Sequence, residues 1–231
     1  MPLSGLELSV AGWLLAIGCG ALLGADSSSW PQAMVSRPVV AGFLGGALLG
    51  DAAAGFLVGA VLELLVLRHP PFGAARYPDM GPAGLVAGGA YASAGGEGFY
   101  PFLASLLAGW ALGWVGARSV ARLRRWNGRL VGAPAVNAAS PARFQRRHRL
   151  AIRLDFARGG LLTAAFLVPA AFLARLAVGI GPGTHGSPLA VAAVALGLGV
   201  AGGAGARSLG GRRRGWALIA VGTIVGLAVL G

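Results

Sequence analysis

Only seven acidic side chains occur among the 231 residues, so each is a candidate for chemistry. Glu63 lies within the apolar run 59–67. A carboxylate inside a bilayer costs about 3 kcal/mol or more, and it normally faces a cavity or a partner. Glu63 is therefore the leading candidate for a ligand-binding residue. The alternative is a structural ion pair with an arginine such as Arg37 or Arg76.

Two more carboxylates stand where helices are expected to begin. Asp51 follows Gly50 and could cap the helix after it. Asp79 closes the stretch 70–79, whose prolines and glycine favour extended backbone, and it stands at the start of the next apolar span. For both residues a ligand role and a plain capping role stay open. The acids at the edges of apolar spans are expected to be solvated: Glu7, Glu97 and Asp155.

The other reactive residue types offer no catalytic machinery. The single cysteine, Cys19, lies in an apolar run, which excludes a disulfide framework. The three histidines are scattered, with no carboxylate or cysteine at the spacing of a metal site or a catalytic triad. We therefore expect no catalytic residue, no metal site and no cofactor.

Composition places these residues in a membrane protein. Apolar residues make up 56% of the chain, charged residues 11%, and the mean hydropathy is +0.73. A soluble protein of this size would need more charge to stay dispersed. The first apolar stretch, 8–25, has no basic residue before it, which favours a membrane helix over a cleaved signal peptide.

The basic residues are all arginines, and they are clustered. Eleven lie between Arg118 and Arg158 and four between Arg207 and Arg214, giving a net charge of +12. Clusters that alternate with apolar spans are typical of cytoplasmic loops under the positive-inside rule, and they can also contact anionic lipid. Neither cluster is long enough to bury its own core, so nucleic-acid binding is not expected.

Polar segments divide the chain into apolar spans, most of them close to the roughly twenty residues that a bilayer crossing requires. We expect an all-α, multi-pass protein of the cell (inner) membrane. The predicted spans are 8–25, 38–67, 80–93, 99–117, 159–180, 189–205 and 216–231. The predicted regions are an N-terminal membrane region (1–117, with a hairpin at 38–67 and a site loop at 68–93), an Arg-rich cytoplasmic connector (118–158) and a C-terminal membrane region (159–231).

The span 38–67 is too long for one upright helix. Thirty residues would rise about 45 Å, whereas the hydrocarbon core is about 30 Å thick. A break near Gly50 and Asp51 would give two short helices that enter and leave on the same side, a re-entrant hairpin. This arrangement keeps Arg37 and Arg68 together on the cytoplasmic side, whereas one tilted crossing would strand one of them outside.

Glycines recur four residues apart in several spans, which puts a smooth stripe on one helix face and lets helices approach closely in lipid. Close packing explains this spacing without any ligand. The spaced sets are Gly42, Gly46 and Gly50, then Gly55 and Gly59, Gly109 and Gly113, and Gly222 and Gly226.

The stretch from Asp26 to about Gly89 contains a series of short sequence motifs. They are Trp30-Pro-Gln-Ala-Met-Val-Ser-Arg-Pro38, Val39-Val-Ala-Gly42, Leu49-Gly-Asp51, Gly55-Phe-Leu-Val-Gly59, Ala60-Val-Leu-Glu-Leu64, and Phe72-Gly-Ala-Ala75 followed by Pro78-Asp79. In order and spacing, this region resembles the membrane IIC component of the mannose/fructose/sorbose family of the sugar phosphotransferase system. The C-terminal half matches only in general character.

The resemblance implies a permease rather than an enzyme. Such a subunit binds a hexose-type sugar and exposes it in the cytoplasm, where a phosphorylated IIB subunit transfers the phosphoryl group. It implies a IID membrane partner, cytoplasmic IIA and IIB subunits, and an oligomeric assembly. Carboxylates suit a sugar site because each accepts two hydroxyl hydrogen bonds. The sugar-binding residues implied by the resemblance are Glu63, Asp79, Asp51, Gln32 and Asp26.

The sequence also leaves other functions open, since Arg68-His-Pro-Pro71 departs from the family pattern and few polar residues lie in the second half. One alternative is a membrane scaffold or sensor that binds phosphotransferase partners without transport. The deciding feature is whether Glu63 and Asp79 converge on one solvated cavity or are sealed against arginines. Another is an unrelated small-molecule transporter with a re-entrant hairpin.

Overall fold

The computed structural model describes residues 10–67, 77–131 and 141–179, together with residue 217. These residues form α-helices and no β-strand, which confirms the all-α prediction. The helices are α1 (Val10–Asp26), α2 (Pro38–Leu49), α3 (Ala52–Val66), α4 (Met80–Ser93), α5 (Phe99–Val131) and α6 (Pro141–Leu176). Outside the described residues lie the predicted span 189–205, the predicted span 216–231 apart from residue 217, and the segment 68–76, which contains Arg68 and Arg76.

The long apolar span breaks where the sequence predicts. Gly50 ends α2 in the left-handed conformation, with φ at 116°, and its N–H bonds to the carbonyl oxygen of Gly46. Such a backbone is open to glycine at little cost. Asp51 then caps α3, because its Oδ1 accepts a hydrogen bond of 2.9 Å from the backbone N–H of Ala54. The broken-helix hairpin is therefore confirmed.

The two arms of the hairpin touch backbone to backbone through the predicted glycine stripes. A Cβ atom added to Gly42 would lie 2.7 Å from the Cα of Gly59, and one added to Gly46 would lie 2.7 Å from the Cα of Gly55. These contacts pair the start of α2 with the later part of α3, so the arms run antiparallel. Close packing without a ligand accounts for this spacing, as expected.

Helix α4 forms the centre of the bundle, and every residue from Met80 to Ala92 is buried. Its glycines let α2 approach it closely: a Cβ atom on Gly88 would lie 2.8 Å from the Cα of Gly42. On another side, a Cβ atom on Gly109 of α5 would lie 2.7 Å from the Cβ of Ala87. The hairpin, α5 and α6 therefore all pack around α4.

These contacts sort the chain segments to two ends of the bundle. We call the first the charged end, which holds Asp26, Arg37, Glu63, Asp79 and Arg158. We call the opposite end the tip end, because the hairpin tip lies there.

The hairpin tip reaches the far end of α4. A Cβ atom on Gly96, in the loop between α4 and α5, would lie 2.7 Å from Oδ2 of Asp51. At this same end Arg175 Nε donates a hydrogen bond of 3.0 Å to the carbonyl oxygen of Ser93, at the end of α4. The hairpin therefore extends over the whole depth of α4.

The Arg-rich stretch continues the apolar helices rather than forming a separate surface element. Helix α5 runs without interruption from Phe99 to Val131, and α6 from Pro141 to Leu176. At 1.5 Å per residue, the part of α5 after residue 117 extends about 20 Å beyond the apolar part. The described parts of 118–158 thus form a pair of helical extensions at the charged end, which we call the arginine arm.

Helices α5 and α6 contain stretches long and apolar enough to cross a membrane, Phe99–Arg129 and Phe144–Leu176. Only 39% of the most apolar window in each is buried, unlike a core helix of a soluble protein. Helix α6 in particular exposes large apolar side chains that suit contact with lipid. Together with the composition, this identifies an all-helical membrane protein. The exposed side chains on α6 include Leu161, Val168, Phe172, Leu173 and Leu176.

Candidate functional site

Three of the four buried charged residues among the described residues meet at the charged end: Asp79, Asp155 and Arg158. The Arg158 side chain is 8% exposed and that of Asp79 is 2% exposed, and Arg158 Nη1 donates to Asp79 Oδ2. Arg158 Nε also donates to Asp155 Oδ1 at 3.1 Å. Nη2 donates to the carbonyl oxygen of Gly24 at 3.1 Å, and Nη1 to Ser119 Oγ at 3.2 Å. One guanidinium therefore ties together α1, α4, α5 and α6.

Asp79 stands at the start of α4, as predicted, but its side chain does not cap the helix. Oδ1 instead accepts a hydrogen bond of 2.9 Å from Ser27 Oγ, while Oδ2 faces Arg158. The backbone N–H of Asp79 donates to the carbonyl oxygen of Gly113 at 2.9 Å. A buried charge is stable only when it is paired and hydrogen-bonded, and this network meets that condition.

Glu63 lies in the last turn of α3, at the charged end rather than deep in an apolar span. Its carboxylate pairs with Arg37, which precedes α2, and Oε2 accepts a hydrogen bond of 3.1 Å from the backbone N–H of Val39. That N–H belongs to the first turn of α2 and has no partner within its own helix. Glu63 thus closes the open ends of the hairpin, realising the ion pair that the sequence left as an alternative.

Asp26 organises the loop that joins α1 to α2. Its two oxygens accept hydrogen bonds from the backbone N–H groups of Ala33, at 2.6 Å, and Ser36, at 2.8 Å. Burial raises the pKa of Asp26, but the hydrogen bonds from this backbone outweigh it and hold the pKa below its usual value. The carboxylate therefore favours a fixed loop conformation at neutral pH.

Gln32 lies at the exposed crest of this loop. Its φ is 60°, and that of Met34 is 62°. Both values lie in the left-handed region, which residues other than glycine rarely adopt. Trp30 and Met34 are 62% and 68% exposed. Holding Gln32 and Met34 in this conformation lowers the stability of the fold. Such local backbone strain is common in loops that have a function.

The structure thus brings Asp26, Glu63 and Asp79 to one end of the bundle and leaves Asp51 at the other. Glu63 and Asp79 belong to different hydrogen-bond networks, each with its own arginine. Asp51 has the capping role that the sequence left open beside ligand binding.

Sequence reasoning missed Arg158 and was wrong about Asp155. Asp155 was expected to be solvated but is 7% exposed, because α6 continues through the Arg-rich stretch and turns this residue toward the bundle. Its spacing of three residues from Arg158 on one helix could have indicated the pair. Ser27, the hydroxyl partner of Asp79, carried no signal in the sequence.

Loss of the Asp51 cap should weaken the hairpin measurably. We expect Asp51→Ala to lower the free energy of unfolding by about 1 kcal/mol, since the Ala54 N–H loses its acceptor. Asp51→Asn keeps an acceptor oxygen and should stay close to the wild-type protein. Thermal unfolding of the purified chain in detergent checks both variants. Equal melting temperatures for the two variants would exclude the cap as the stabilising contact.

Comparison with known proteins relates part of this architecture to one protein family. Residues 10–117, slightly under half of the chain, match the model of a family described as the sorbose-specific IIC component of the PTS system, the sugar phosphotransferase system. The match spans α1 to the apolar part of α5, including the broken hairpin, and it ends where the arginine arm begins. No curated protein matches the chain. Residues 10–117 are therefore similar to the sorbose-specific IIC component of the sugar phosphotransferase system, a family of membrane-embedded sugar-transport components.

Proposed function

We propose that this chain is the sugar-translocating subunit of a mannose-type phosphotransferase system. It binds a hexose-type sugar and presents it in the cytoplasm to a separate phosphorylated IIB subunit. The observation that carries the proposal is the family match over α1 to α5, which contains the broken hairpin. Its expected partners are a IID membrane subunit and cytoplasmic IIA and IIB subunits, and it acts within an oligomer.

The charge distribution supports an orientation for this proposal. The arginine arm lies at the same end as Arg37, and the positive-inside rule places such an end in the cytoplasm of the cell membrane. The tip end, with Gly50 and the loop 94–98, would then face outward. In this scheme 1–117 is the transporting region, 118–158 the cytoplasmic connector, and 159–231 a second membrane region.

The proposed sugar ligands are Glu63 and Asp79, followed by Asp51, Gln32 and Asp26. Glu63 and Asp79 are held by arginines, so each can exchange an arginine contact for a sugar hydroxyl when the bundle rearranges. Such an exchange keeps each carboxylate hydrogen-bonded in both states. It also makes the two arginines part of the transport cycle rather than passive neighbours.

Paired variants at Glu63 and Arg37 test this role. We expect Glu63→Gln to abolish sugar uptake while insertion into the membrane is retained, because the neutral amide accepts fewer and weaker hydrogen bonds from sugar hydroxyls. Arg37→Gln removes the same ion pair but leaves the carboxylate, so it should retain part of the uptake. Uptake of labelled hexoses by cells expressing each variant at matched membrane levels is the measurement. Equal loss in both variants would assign Glu63 to holding the hairpin and remove it from the sugar site.

A second candidate function is a non-transporting scaffold or sensor that binds phosphotransferase partners. It is favoured by one observation: the carboxylates of Glu63 and Asp79 each contact an arginine in the described structure. Binding of partner subunits by a chain that supports no uptake of any hexose would favour this candidate.

A further inference from the structure

A cavity of about 280 Å³ opens at the base of the arginine arm, and none of its described lining residues belongs to the hairpin. It lies between α5, α6 and the residues that follow α1, and its volume approaches the lower end of the about 300–1,000 Å³ typical of small-molecule sites. Most of its lining belongs to the arm, beyond the residues that match the family. Its polar lining residues are Ser28, Ser29, Arg124, Asn127, His148 and Asp155.

One part of this lining favours an anion. Arg124 and His148 come from opposite walls, α5 and α6, and a guanidinium and an imidazole both donate hydrogen bonds to phosphate oxygens. The surrounding arm contains eleven arginines and a single acid, Asp155, between residues 118 and 158. That acid already pairs with Arg158, so the field around the cavity stays positive.

Another part of the lining requires hydrogen-bond donors. Asn127 Oδ1 is the one buried side-chain oxygen or nitrogen without a hydrogen-bond partner among the described residues. The hydroxyls of Ser28 and Ser29 donate their hydrogens to the carbonyl oxygens of Gly24, at 2.9 Å, and Ala25, at 3.3 Å. Both hydroxyls are therefore left as acceptors, and these three oxygens match hydroxyl groups of a ligand rather than a bare phosphate.

The cavity also connects to the proposed sugar site. Asp155 lines it and binds Arg158, and the same guanidinium binds Asp79. Two side chains, those of Asp155 and Arg158, thus link a ligand at the cavity to the Asp79 carboxylate, which is proposed to bind sugar. Both features are at the charged end, where the proposed function places the phosphorylated product.

We propose that this cavity binds a phosphorylated sugar, with Arg124 and His148 at the phosphate and Asn127 at a sugar hydroxyl. The proposal rests on the function proposed above and extends it to a site for the product. In this proposal the product binds in the arm as it leaves the transport region. The arm lies outside residues 10–117, which match the family.

Binding to the purified full-length chain in phosphatidylcholine nanodiscs tests this site. The probes are glucose 6-phosphate, mannose 6-phosphate and fructose 1-phosphate, with inorganic phosphate for comparison, measured by titration calorimetry. We expect at least one hexose phosphate to bind, and Arg124→Gln to weaken it by about tenfold or more, the equivalent of about 1.4 kcal/mol. Asn127→Leu should weaken the binding of the hexose phosphate and leave the binding of inorganic phosphate unchanged. Arg125→Gln, a neighbouring exposed arginine outside the lining, should bind as the wild-type chain does.

Three results would overturn the proposal: no hexose phosphate binds, Arg124→Gln and Arg125→Gln lose affinity equally, or Asn127→Leu changes nothing. The headgroup of phosphatidylglycerol also carries a phosphate and hydroxyls. Nanodiscs that contain this lipid therefore show whether the cavity binds a lipid or a soluble sugar phosphate. Complete loss of hexose-phosphate binding in them would assign the cavity to lipid. Hexose uptake by cells that express the wild-type chain together with IIA, IIB and IID subunits is followed in parallel. Uptake without hexose-phosphate binding removes only this site, whereas absent uptake removes the proposed function.

Discussion

Replacing Arg158 by methionine should destabilise the protein by about 3–5 kcal/mol, the largest effect that we expect from a single side chain. The substitution leaves Asp79, whose side chain is 2% exposed, buried without its counter-charge. It also removes the contacts that join α6 to Ser119 and Gly24. Thermal and denaturant unfolding of the purified chain in detergent, with intrinsic tryptophan fluorescence as the signal, measures the loss.

A matched variant on the same helix separates this network from a general effect of charge. Arg153→Met removes an exposed arginine and should change stability by less than about 0.5 kcal/mol. Combining Arg158→Met with Asp79→Leu removes the stranded charge, so it should recover part of the loss. If Arg158→Met has the same melting temperature as Arg153→Met, the buried pair does not stabilise the fold.

Replacing Gly46 by valine should force the hairpin apart. A Cβ atom at this position would lie 2.7 Å from the Cα and 2.9 Å from the N of Gly55, and these are backbone atoms that cannot rotate away. Overpacking of this kind costs about 1–3 kcal/mol or more, and here it separates two whole helices. We expect a lower melting temperature and loss of sugar uptake, measured on the same membrane preparations.

The control for this prediction is another helical glycine with open space around it. A Cβ atom at Gly18 meets nothing within 4 Å, so Gly18→Ala should keep uptake and raise helix stability by up to about 1 kcal/mol. Retention of uptake and stability by Gly46→Val would mean that the two arms are not held at this distance in the working protein.

The hairpin could be predicted because its signals are local. Excess length, a glycine followed by a capping residue, and glycines four residues apart all lie within 38–67, and each has a direct structural consequence. Gly50 and Asp51 occupy the break, and the stripes through Gly42 and Gly55 make the contact. The membrane class followed from composition in the same direct way.

The charged end could not be predicted in full because its contacts are distant in sequence. Asp79 and Arg158 are separated by 79 positions, and only the packing of α4 against α6 brings them together. The same packing turns Asp155 inward, although its Arg-rich surroundings favour a solvated helix. For Glu63 the sequence favoured a ligand role over an arginine partner, and the structure shows the arginine partner. The pairing could not be predicted because the length of α3, which places Glu63 in its last turn, depends on the whole hairpin.

Hexose uptake tests the central claim most directly. Cells that lack their own mannose-type phosphotransferase system would express this chain with IIA, IIB and IID partner subunits, and labelled hexoses would be supplied outside. We predict that at least one hexose accumulates inside as its phosphate, and that accumulation requires this chain. A chain that reaches the membrane with all its partners, yet supports accumulation of no hexose, would contradict the account.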